Sequence, residues 1–412
     1  MALPLKIPQL QVTIDGKPSG ELLKHSIYEY RYSSPSADQA RLALLMPAKE
    51  RPTWQDGDLF AVMDQNLPEG DLFLRLTTMF PKQQLQNMHL LAMVGQNGIG
   101  RLGYSLAGEP EPPSPKHMNR QELLSLPFSQ ELFDELVRAY LSTGAGIAGV
   151  QPKIMVPDRA TVPIPSLIVK AASASYPGLA SNEFLCMSAA QRAGILTPGF
   201  DLSEDGQMLV IDRFDLETGE DGTVERLGFE DFASLMNLRV RNALSERKYR
   251  GSYQRIAELL AYLQLPAENL HRFFEQVALS VMVRNGDGHL KNFAVIYGKD
   301  EVPSLSPLFD VVTTAVYKYT RYVGDDEHTD RTMALKLFAG KHHSKAYPTT
   351  EELIRFGTEV CGVVRPGPVL QRIAQGMKET LEDARGDTRI PAELLAGMEL
   401  FWQDGMAYAP RS

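Results

Sequence analysis

The segment from Arg284 to Asn292 (Arg-Asn-Gly-Asp-Gly-His-Leu-Lys-Asn) constrains this chain more than any other. It directly follows an amphipathic helical pattern over Leu270–Val283 and directly precedes the apolar run Phe293–Tyr297. Asp287 and Asn292 therefore share one loop, where a carboxylate could accept the proton of an attacking hydroxyl and an amide oxygen could bind magnesium. The same residue types favour surface turns, so the loop alone leaves both interpretations open.

A second carboxylate strengthens the chemical interpretation of this loop. After a short turn at Gly298–Asp300, the run Leu305-Ser-Pro-Leu-Phe-Asp310 could bring Asp310 back beside Asp287. Asn292 also stands five residues after Asp287, which is the spacing found in the catalytic loop of protein kinases. A loop of this kind predicts magnesium-dependent phosphoryl transfer.

The upstream segments occur in the order that a kinase needs. A glycine-rich stretch, Ser142–Gly149, would let the backbone approach phosphates. It is followed by a strand pattern with Lys170, a helix pattern with Glu183 and a strand that runs into Asp212-Arg-Phe214. Lys170 would contact the phosphates, and Glu183 would hold the lysine in place. The segment from Asp212 to Phe214 would connect the lobes and receive the adenine. A lone lysine or glutamate is usually just solvated, so the order carries this prediction.

Four prolines within Gly108–Pro115 mark the best candidate for a domain boundary, because proline breaks helices and inner strands. Before them, Ile7–Ile14 alternates apolar and polar residues and runs into Asp15-Gly16, a hairpin signal. We expect an α+β, protein-kinase-like two-lobed fold, with a strand-rich N-lobe and a helical C-lobe, preceded by a small N-terminal α/β domain. The expected segments are the N-terminal domain at 1–107, the linker at 108–118, the N-lobe at 119–226 and the C-lobe at 227–412.

Individual elements follow from hydrophobic periodicity. Beyond the first hairpin, strands are expected at Glu29–Tyr32, Lys153–Val156, Ser166–Lys170 and Met208–Asp212. Helices are expected at Phe60–Phe80 with an interruption near Leu67–Gly70, and at Ser129–Tyr140, Asn182–Arg192, Ile256–Leu263, Leu270–Val283, Glu351–Val364 and Val369–Asp383.

Composition excludes several classes of protein. The 412 residues, 43% apolar and 23% charged, indicate two or three globular domains. A net charge of −9 and the lack of a Lys and Arg cluster that could neutralise phosphates argue against direct binding of nucleic acid. No signal peptide and no membrane-length apolar run is present, which favours a cytoplasmic protein. Cys186 and Cys361 lack metal-ligand spacing and should be buried hydrophobes.

Two further patterns resemble functional sites. Gly98-Ile-Gly-Arg-Leu-Gly103 formally fits a dinucleotide-binding fingerprint, but the linker follows too soon for the helix that such a site requires. A locally basic region at Arg239–Asn242 and Ser245–Arg250 is typical of a solvated face, although it could also hold an acidic partner or substrate segment.

Over nearly its whole length the chain resembles the HipA-type toxin serine/threonine kinases of bacterial toxin–antitoxin modules. The matching motifs are Ile147–Lys153 (phosphate loop), Ile211–Asp215 (hinge), Gly286–Phe293 (catalytic loop), Leu305–Val312 (metal-binding segment), and Gly16–Gly20 with Asn66–Glu69 in the N-terminal domain.

The resemblance implies a role for each matching residue. Asp287 would be the catalytic base, Asn292 and Asp310 would bind Mg²⁺, and Lys170, with Glu183 as its partner, would contact the phosphates of ATP. Asp212 and Phe214 would lie near the adenine, His289 would support the loop and Lys291 would contact a phosphate. The remaining implied nucleotide-binding residues are Ile147, Ala148, Gly149, Val150, Gln151 and Lys153.

Members of this family are often switched off by autophosphorylation of a serine at the phosphate loop. Here Gly146-Ile147-Ala148 carries no hydroxyl, and Ser142 and Thr143 are the nearest candidates. We therefore expect that this switch is absent.

The implied function is phosphorylation of a cytosolic protein by Mg-ATP, with an aminoacyl-tRNA synthetase among the family's substrates, growth arrest as the outcome and a HipB-like helix-turn-helix antitoxin as partner. One alternative is a small-molecule phosphotransferase, which the N-terminal domain and the phosphate-loop match disfavour. The other is a weakly active corepressor that acts through a DNA-binding antitoxin. The presence of Asp287, Asn292 and Asp310 disfavours that alternative.

Overall fold

The computed structural model describes most of the chain. The described residues are 4–34, 40–49, 51–68, 73, 77–78, 80, 84–96, 98–108, 120–129, 131–132, 135–136, 153–156, 166–171, 176–300, 302–319 and 327–410. At 153–156, 242–243 and 319 only the backbone is described. The stretches 109–119 and 137–152, which include most of the linker, the phosphate-loop motif as far as Pro152, Ser142 and Thr143, lie outside the described residues, so the predictions made for them stay predictions.

The described strands are short and occur between residues 9 and 329. They are β1 (Gln9–Ile14), β2 (Lys17–Lys24), β3 (Tyr28–Tyr32), β4 (Thr53–Asp56), β5 (Leu102–Ser105), β6 (Lys153–Val156), β7 (Leu167–Ala171), β8 (Phe200–Leu202), β9 (Met208–Asp212), β10 (Leu216–Thr218), β11 (Val224–Arg226), β12 (Gly228–Asp231), β13 (Ala294–Tyr297), β14 (Pro303–Leu305), β15 (Lys318–Tyr319) and β16 (His328–Thr329).

The three longest of the described helices lie in the second half of the chain. The α-helices are α1 (Ala61–Asp64), α2 (Asn87–Val94), α3 (Arg120–Ser125), α4 (Leu179–Arg192), α5 (Phe232–Leu235), α6 (Tyr253–Tyr262), α7 (Ala267–Met282), α8 (Thr350–Arg355), α9 (Pro366–Ala384) and α10 (Ala392–Met406). Two 3₁₀ helices, Asn242–Tyr249 and Thr314–Val316, and a π-helical turn, Phe356–Val360, complete them.

The chain divides into two compact units. Unit 1 comprises Met1–Ala171, Val210–Lys248 and Ala294–Val302. Unit 2 comprises Ala172–Leu209, Tyr249–Phe293 and Pro303–Ser412. The segment boundaries predicted at 107, 118 and 226 stay predictions.

A five-stranded antiparallel sheet with the order β4-β3-β2-β1-β5 occurs in unit 1. Along β1 every second residue is buried, so Leu10, Val12 and Ile14 face the core. The expected hairpin at Asp15-Gly16 is confirmed, and both residues have positive φ (48° and 70°), as a tight two-residue hairpin turn requires. The other sheets have the orders β6-β7-β9-β8, β12-β13-β14, β10-β11 and β15-β16.

The Gly98–Gly103 pattern belongs to the five-stranded sheet and not to a dinucleotide-binding site. It ends in β5, and the residues described after it, to Gly108, contain no helix. The buried Arg226 guanidinium donates to the carbonyls of Gly98 (2.8 Å) and Leu102 (3.3 Å), which fixes the loop from inside the protein.

In unit 2 the core is built around α7, whose Phe273, Phe274 and Val277 are fully buried. Cys186 in α4 and Cys361 are buried as expected, and burial raises the pKa of each thiol to about 12. No helix among the described residues combines the length and the apolar character that a bilayer crossing needs.

Most of the predicted elements of unit 2 are confirmed. The helices expected at Asn182–Arg192 and Val369–Asp383 occur with slightly longer bounds as α4 and α9. The helix expected at Glu351–Val364 is divided, because α8 ends at Arg355 and the π-helical turn follows it. The helix α10 was not predicted.

In unit 1 the structure describes only parts of two expected helices. Within Phe60–Phe80 the described helical residues are α1 and 73, 77 and 78, and within Ser129–Tyr140 they are 131–132 and 135–136.

Candidate active site

The loop that carries Asp287 begins at a well-defined helix end. After α7 the backbone turns at Arg284, whose φ of 58° lies in the left-handed region usually occupied by glycine. The Arg284 amide donates to the Val281 carbonyl (3.2 Å), and the Asn285 amide donates to the Ser280 carbonyl (2.8 Å). This pair of bonds is the Schellman ending of a helix, and it sets the direction in which the loop leaves α7.

Three side chains hold the loop backbone in place: Asn285 within the loop, and Thr314 and Tyr253 from elsewhere in the chain. The Asn285 carboxamide oxygen accepts from the Asp287 amide at 3.0 Å. The Thr314 hydroxyl accepts from the Gly286 amide (2.7 Å) and donates to the Arg284 carbonyl (3.2 Å), and the buried Tyr253 hydroxyl donates to the Gly288 carbonyl (2.8 Å). These bonds give four backbone groups of the loop defined partners, and they fix the path of the chain on both sides of Asp287.

Asp287 is the carboxylate that this loop presents. Its side chain is 41% exposed, so a second molecule can reach it. Its Oδ1 accepts a 2.6 Å hydrogen bond from the Tyr249 hydroxyl, and the Nε2 of His289 lies 3.9 Å from the same oxygen. An exposed carboxylate on a rigid loop can accept a proton from a hydroxyl that binds beside it.

The structure brings Asn292 and the backbone of Asp310 together. The Nδ2 of Asn292 donates to the backbone carbonyl of Asp310 at 3.0 Å. Asp310 has a φ of 53°, a left-handed conformation that is uncommon outside glycine, asparagine and aspartate. The bond joins the catalytic-loop segment to the segment predicted to bind metal, and it uses the donor end of the Asn292 amide.

This donor set fits magnesium, which prefers oxygen ligands. The Asn292 amide oxygen and the carboxylates of Asp310 and Asp287 are oxygen donors of this kind. Within the described ranges no group of three or more His, Cys, Asp or Glu side chains could hold a metal ion by itself. Such a site suits an ion that also binds phosphate oxygens and water, which is how magnesium usually binds with nucleotides.

His289 has a supporting position, as expected. It is 6% exposed, and its Nδ1 accepts from the Lys291 backbone amide at 3.3 Å. With Nδ1 acting as acceptor, the neutral ring carries its proton on Nε2, the nitrogen that faces Asp287. The phosphate contact expected of the Lys291 side chain remains a prediction.

Lys170 and Glu183 are both almost completely buried, at 3% and 1% exposure. Lys170 lies in β7 of unit 1, and Glu183 lies in the first turns of α4 of unit 2. Buried charges need partners, so the solvated-surface interpretation of these two residues is excluded.

The other residues predicted to bind nucleotide stay predictions, and the structure gives only their surroundings. Asp212, at the end of β9, accepts from Arg120 at 2.6 Å, and the Phe214 ring packs on Phe229 with centroids 6.1 Å apart. The Lys153 backbone pairs with Lys170 in the β6–β7 ladder, and its side chain is not described. Ile147, Ala148, Gly149, Val150 and Gln151 lie outside the described residues.

Sequence reasoning missed Tyr249, Tyr253 and Thr314. Tyr249 lies within the basic run Ser245–Arg250, where only the charges were considered. It contacts Asp287 across 38 positions of sequence, and no local pattern links two residues at that separation.

Two family models match the chain. The HipA N-terminal domain matches residues 10–105, and the HipA-like C-terminal domain matches residues 145–385. The chain belongs to the HipA family. The catalytic-loop and metal-binding segments lie inside the second match, and the five-stranded sheet corresponds to the first.

Curated relatives and a solved structure agree with this assignment. “Putative kinase Y4dM” of Sinorhizobium fredii is 32% identical over 37% of this chain and 38% of its own length. “Putative kinase” of Haemophilus influenzae is 28% identical over 52% of this chain and 64% of its own length. This chain therefore spans less than two thirds of either relative.

A chain of the Shewanella oneidensis MR-1 toxin–antitoxin complex of HipA, HipB and operator DNA superposes with a TM-score of 0.69 at 16% identity. The match covers 97% of this chain and 96% of that one. The predicted α+β, kinase-like fold is confirmed.

Proposed function

We propose that this HipA-family protein is a cytoplasmic Mg-ATP-dependent kinase that phosphorylates a serine or threonine hydroxyl of a protein. The observation that carries the proposal is the loop from Arg284 to Asn292, which presents an exposed Asp287 and is joined to Asp310 through the Asn292 amide. Kinase chemistry needs a base for the acceptor hydroxyl and oxygen ligands beside the phosphates.

Each residue has a distinct task in this proposal. Asp287 orients the acceptor hydroxyl and takes its proton as the oxygen attacks the γ-phosphorus, while the bond from that phosphorus to the β,γ-bridging oxygen breaks and ADP leaves. Asn292 and Asp310 would hold magnesium, which neutralises charge on the phosphate oxygens when it is bound. The hydrogen bond from the Asn292 side chain to the Asp310 backbone carbonyl joins the two segments that carry these residues.

Lys170 would bind the α and β phosphates, and Glu183 would keep its ammonium group in place. The burial of both side chains supports this, because a lysine held in a water-poor strand binds an anion more strongly than a solvated one. We therefore expect replacement of either residue to raise the KM for ATP strongly and to lower the free energy of unfolding only slightly.

A HipB-like antitoxin is the proposed partner. A chain of similar fold was solved with HipB and operator DNA, and a net charge of −9 suits contact with DNA through a basic partner. An aminoacyl-tRNA synthetase is the proposed class of substrate, by family membership.

The test is transfer of labelled γ-phosphate from Mg-ATP into a desalted bacterial extract, with products separated into protein and small-molecule fractions. Label in a protein band, lost when magnesium is chelated, is the expected result. Label only in the small-molecule fraction would identify a small-molecule phosphotransferase. An absence of any labelled product despite ATP binding would favour the corepressor alternative.

A further inference from the structure

The Tyr249 hydroxyl contacts Asp287, the proposed base, and Tyr249 has no role in the account so far. It ends the 3₁₀ helix Asn242–Tyr249, four residues before Tyr253 begins α6. Its hydroxyl donates to the Oδ1 of Asp287 at 2.6 Å, a short bond typical of a charged acceptor. Two tyrosines of one short segment therefore bind the catalytic loop, Tyr253 at a carbonyl and Tyr249 at the carboxylate itself.

The Tyr249 ring is itself held in place from two directions. The His289 ring meets it edge to face, with centroids 5.1 Å apart. The Lys345 ammonium lies 5.6 Å from the centre of the Tyr249 ring, within the range of a cation–π interaction. A phenol with a fixed ring places its hydroxyl at a fixed point, so Asp287 meets a rigid donor.

The geometry also distinguishes the two carboxylate oxygens of Asp287. The Tyr249 hydroxyl and the Nε2 of His289, at 2.6 and 3.9 Å, both face Oδ1. A carboxylate bound at one oxygen has lost most of its rotation about χ2, so the direction of its Oδ2 is set as well.

We propose that Tyr249 is a positioning residue for phosphoryl transfer: by holding Oδ1 of Asp287 it fixes the direction in which this carboxylate accepts the proton of the substrate hydroxyl. The inference rests on the proposed function, because it assigns Tyr249 a role only if Asp287 is the base. Tyr249 acts through Asp287 and touches neither nucleotide nor metal in this account.

Positioning of this kind affects the chemical step and leaves nucleotide binding unchanged. A base that samples several rotamers spends less time within 2.6–3.2 Å of the hydroxyl, and small misplacements cost up to about a hundredfold in rate. We therefore expect Tyr249→Phe to lower kcat about tenfold to a hundredfold, with the KM for Mg-ATP unchanged within about twofold.

The experiment compares Tyr249→Phe with Tyr262→Phe, which removes the hydroxyl of a tyrosine that is 76% exposed on α6. Kcat, the KM for Mg-ATP and the thermal midpoint are measured for both. The double variant Tyr249→Phe/Asp287→Ala is measured as well, because a residue that acts through Asp287 has no further effect once Asp287 is absent.

The expected result is a loss of kcat in Tyr249→Phe alone, at equal thermal midpoints, and a double variant no slower than Asp287→Ala. Unchanged or increased kcat in Tyr249→Phe, or additive losses in the double variant, would overturn the inference while leaving the proposed function intact. Phosphate found on Tyr249 itself would also overturn it, since the residue would then be an acceptor. A wild-type protein that transfers no phosphate would contradict the proposed function and the inference with it.

Discussion

The side-chain amide of Asn292 donates a 3.0 Å hydrogen bond to the backbone carbonyl of Asp310, eighteen residues later in the chain. The bond joins the end of the catalytic loop to the segment that carries the second metal-binding candidate. It also leaves the amide oxygen of Asn292, rather than its nitrogen, as the group suited to a cation. One side chain thus connects the two segments and supplies a ligand.

Replacing Asp310 by asparagine should weaken binding of Mg-ATP without unfolding the protein. Asparagine tolerates the φ of 53° at this position but removes the negative charge. We expect the Kd for Mg-ATP, measured by calorimetry, to rise about tenfold or more, with an unchanged thermal midpoint. Asp310→Ala should in addition lose about 1 kcal/mol of stability, because alanine is strained at positive φ. Unaltered Mg-ATP affinity in Asp310→Asn would remove Asp310 from the metal site.

A methyl group at Gly286 should disrupt the loop, whereas one at Gly288 should be tolerated better. A Cβ at Gly286 would lie 2.8 Å from the Thr332 carbonyl oxygen and 2.6 Å from an Asp330 carboxylate oxygen. At Gly288 the nearest atom would be the Tyr253 hydroxyl at 3.1 Å, at the end of a side chain. We expect Gly286→Ala to lose at least about ten times more kcat than Gly288→Ala. Equal activities of the two variants would show that the loop is less rigid than its hydrogen bonds indicate.

Glu230 should make unit 1 less stable as the pH rises. This residue of β12 is 1% exposed and accepts hydrogen bonds from the Leu44 amide and the Tyr297 hydroxyl, both at 2.7 Å. Burial raises the pKa of its carboxyl to about 7 from 4.5. Between these values the folded state keeps a proton that the unfolded state has released. The free energy of unfolding therefore falls from about pH 4.5 to about pH 7, by about 3 kcal/mol in all, and stays level above.

Glu230→Gln should abolish that dependence, because the amide keeps an acceptor oxygen and cannot ionise. In urea unfolding, the variant should match the wild type near pH 5 and exceed it by up to about 3 kcal/mol at pH 8. The exposed Glu217→Gln serves as the control. If the difference between Glu230→Gln and wild type is the same at both pH values, Glu230 is ionised in the folded protein throughout.

Asp215→Ala should be among the most destabilising changes in unit 1. The side chains of Arg213 and Asp215 are 0% and 1% exposed and form an ion pair, and Asp215 also accepts from the Gly100 amide at 2.7 Å. Removing the carboxylate leaves a buried guanidinium without its counter-ion and the Gly100 amide without its acceptor, at a cost of about 3–5 kcal/mol. Asp221→Ala, in an exposed turn, should change the unfolding midpoint little. A small effect of Asp215→Ala would mean that water or another group reaches Arg213.

The sequence predicted best those features that depend on neighbouring residues. β9 was predicted with its observed bounds because the continuous apolar run Met208–Ile211 leads into Asp212, and α4 because its apolar residues recur at helical spacing. The helix α10 was missed because Gly397 and Gly405 lower helical propensity. Tertiary packing explains why residue 405 is glycine, because a Cβ at this position would lie 1.8 Å from the Met282 carbonyl oxygen.

In the candidate site, too, the features that depend on neighbouring residues were predicted and those that depend on tertiary packing were not. The spacing of Asp287 and Asn292 is local and was recognised. Thr314, which binds the Gly286 amide from 28 residues away, depends on the path of the chain between them. Hydrophobic periodicity carries no information about such pairs, and for that reason the residues that support the loop emerged only from the structure.

The most direct test of the central claim compares γ-phosphate transfer from Mg-ATP by the wild type, Asp287→Ala and Asp300→Ala. Asp300 lies in an exposed turn and serves as the matched control. We predict labelled protein with the wild type and Asp300→Ala, and at least about a hundredfold less with Asp287→Ala at unchanged ATP affinity. Equal labelling by Asp287→Ala and the wild type would contradict the assignment of Asp287 as the base, and with it the account of this site.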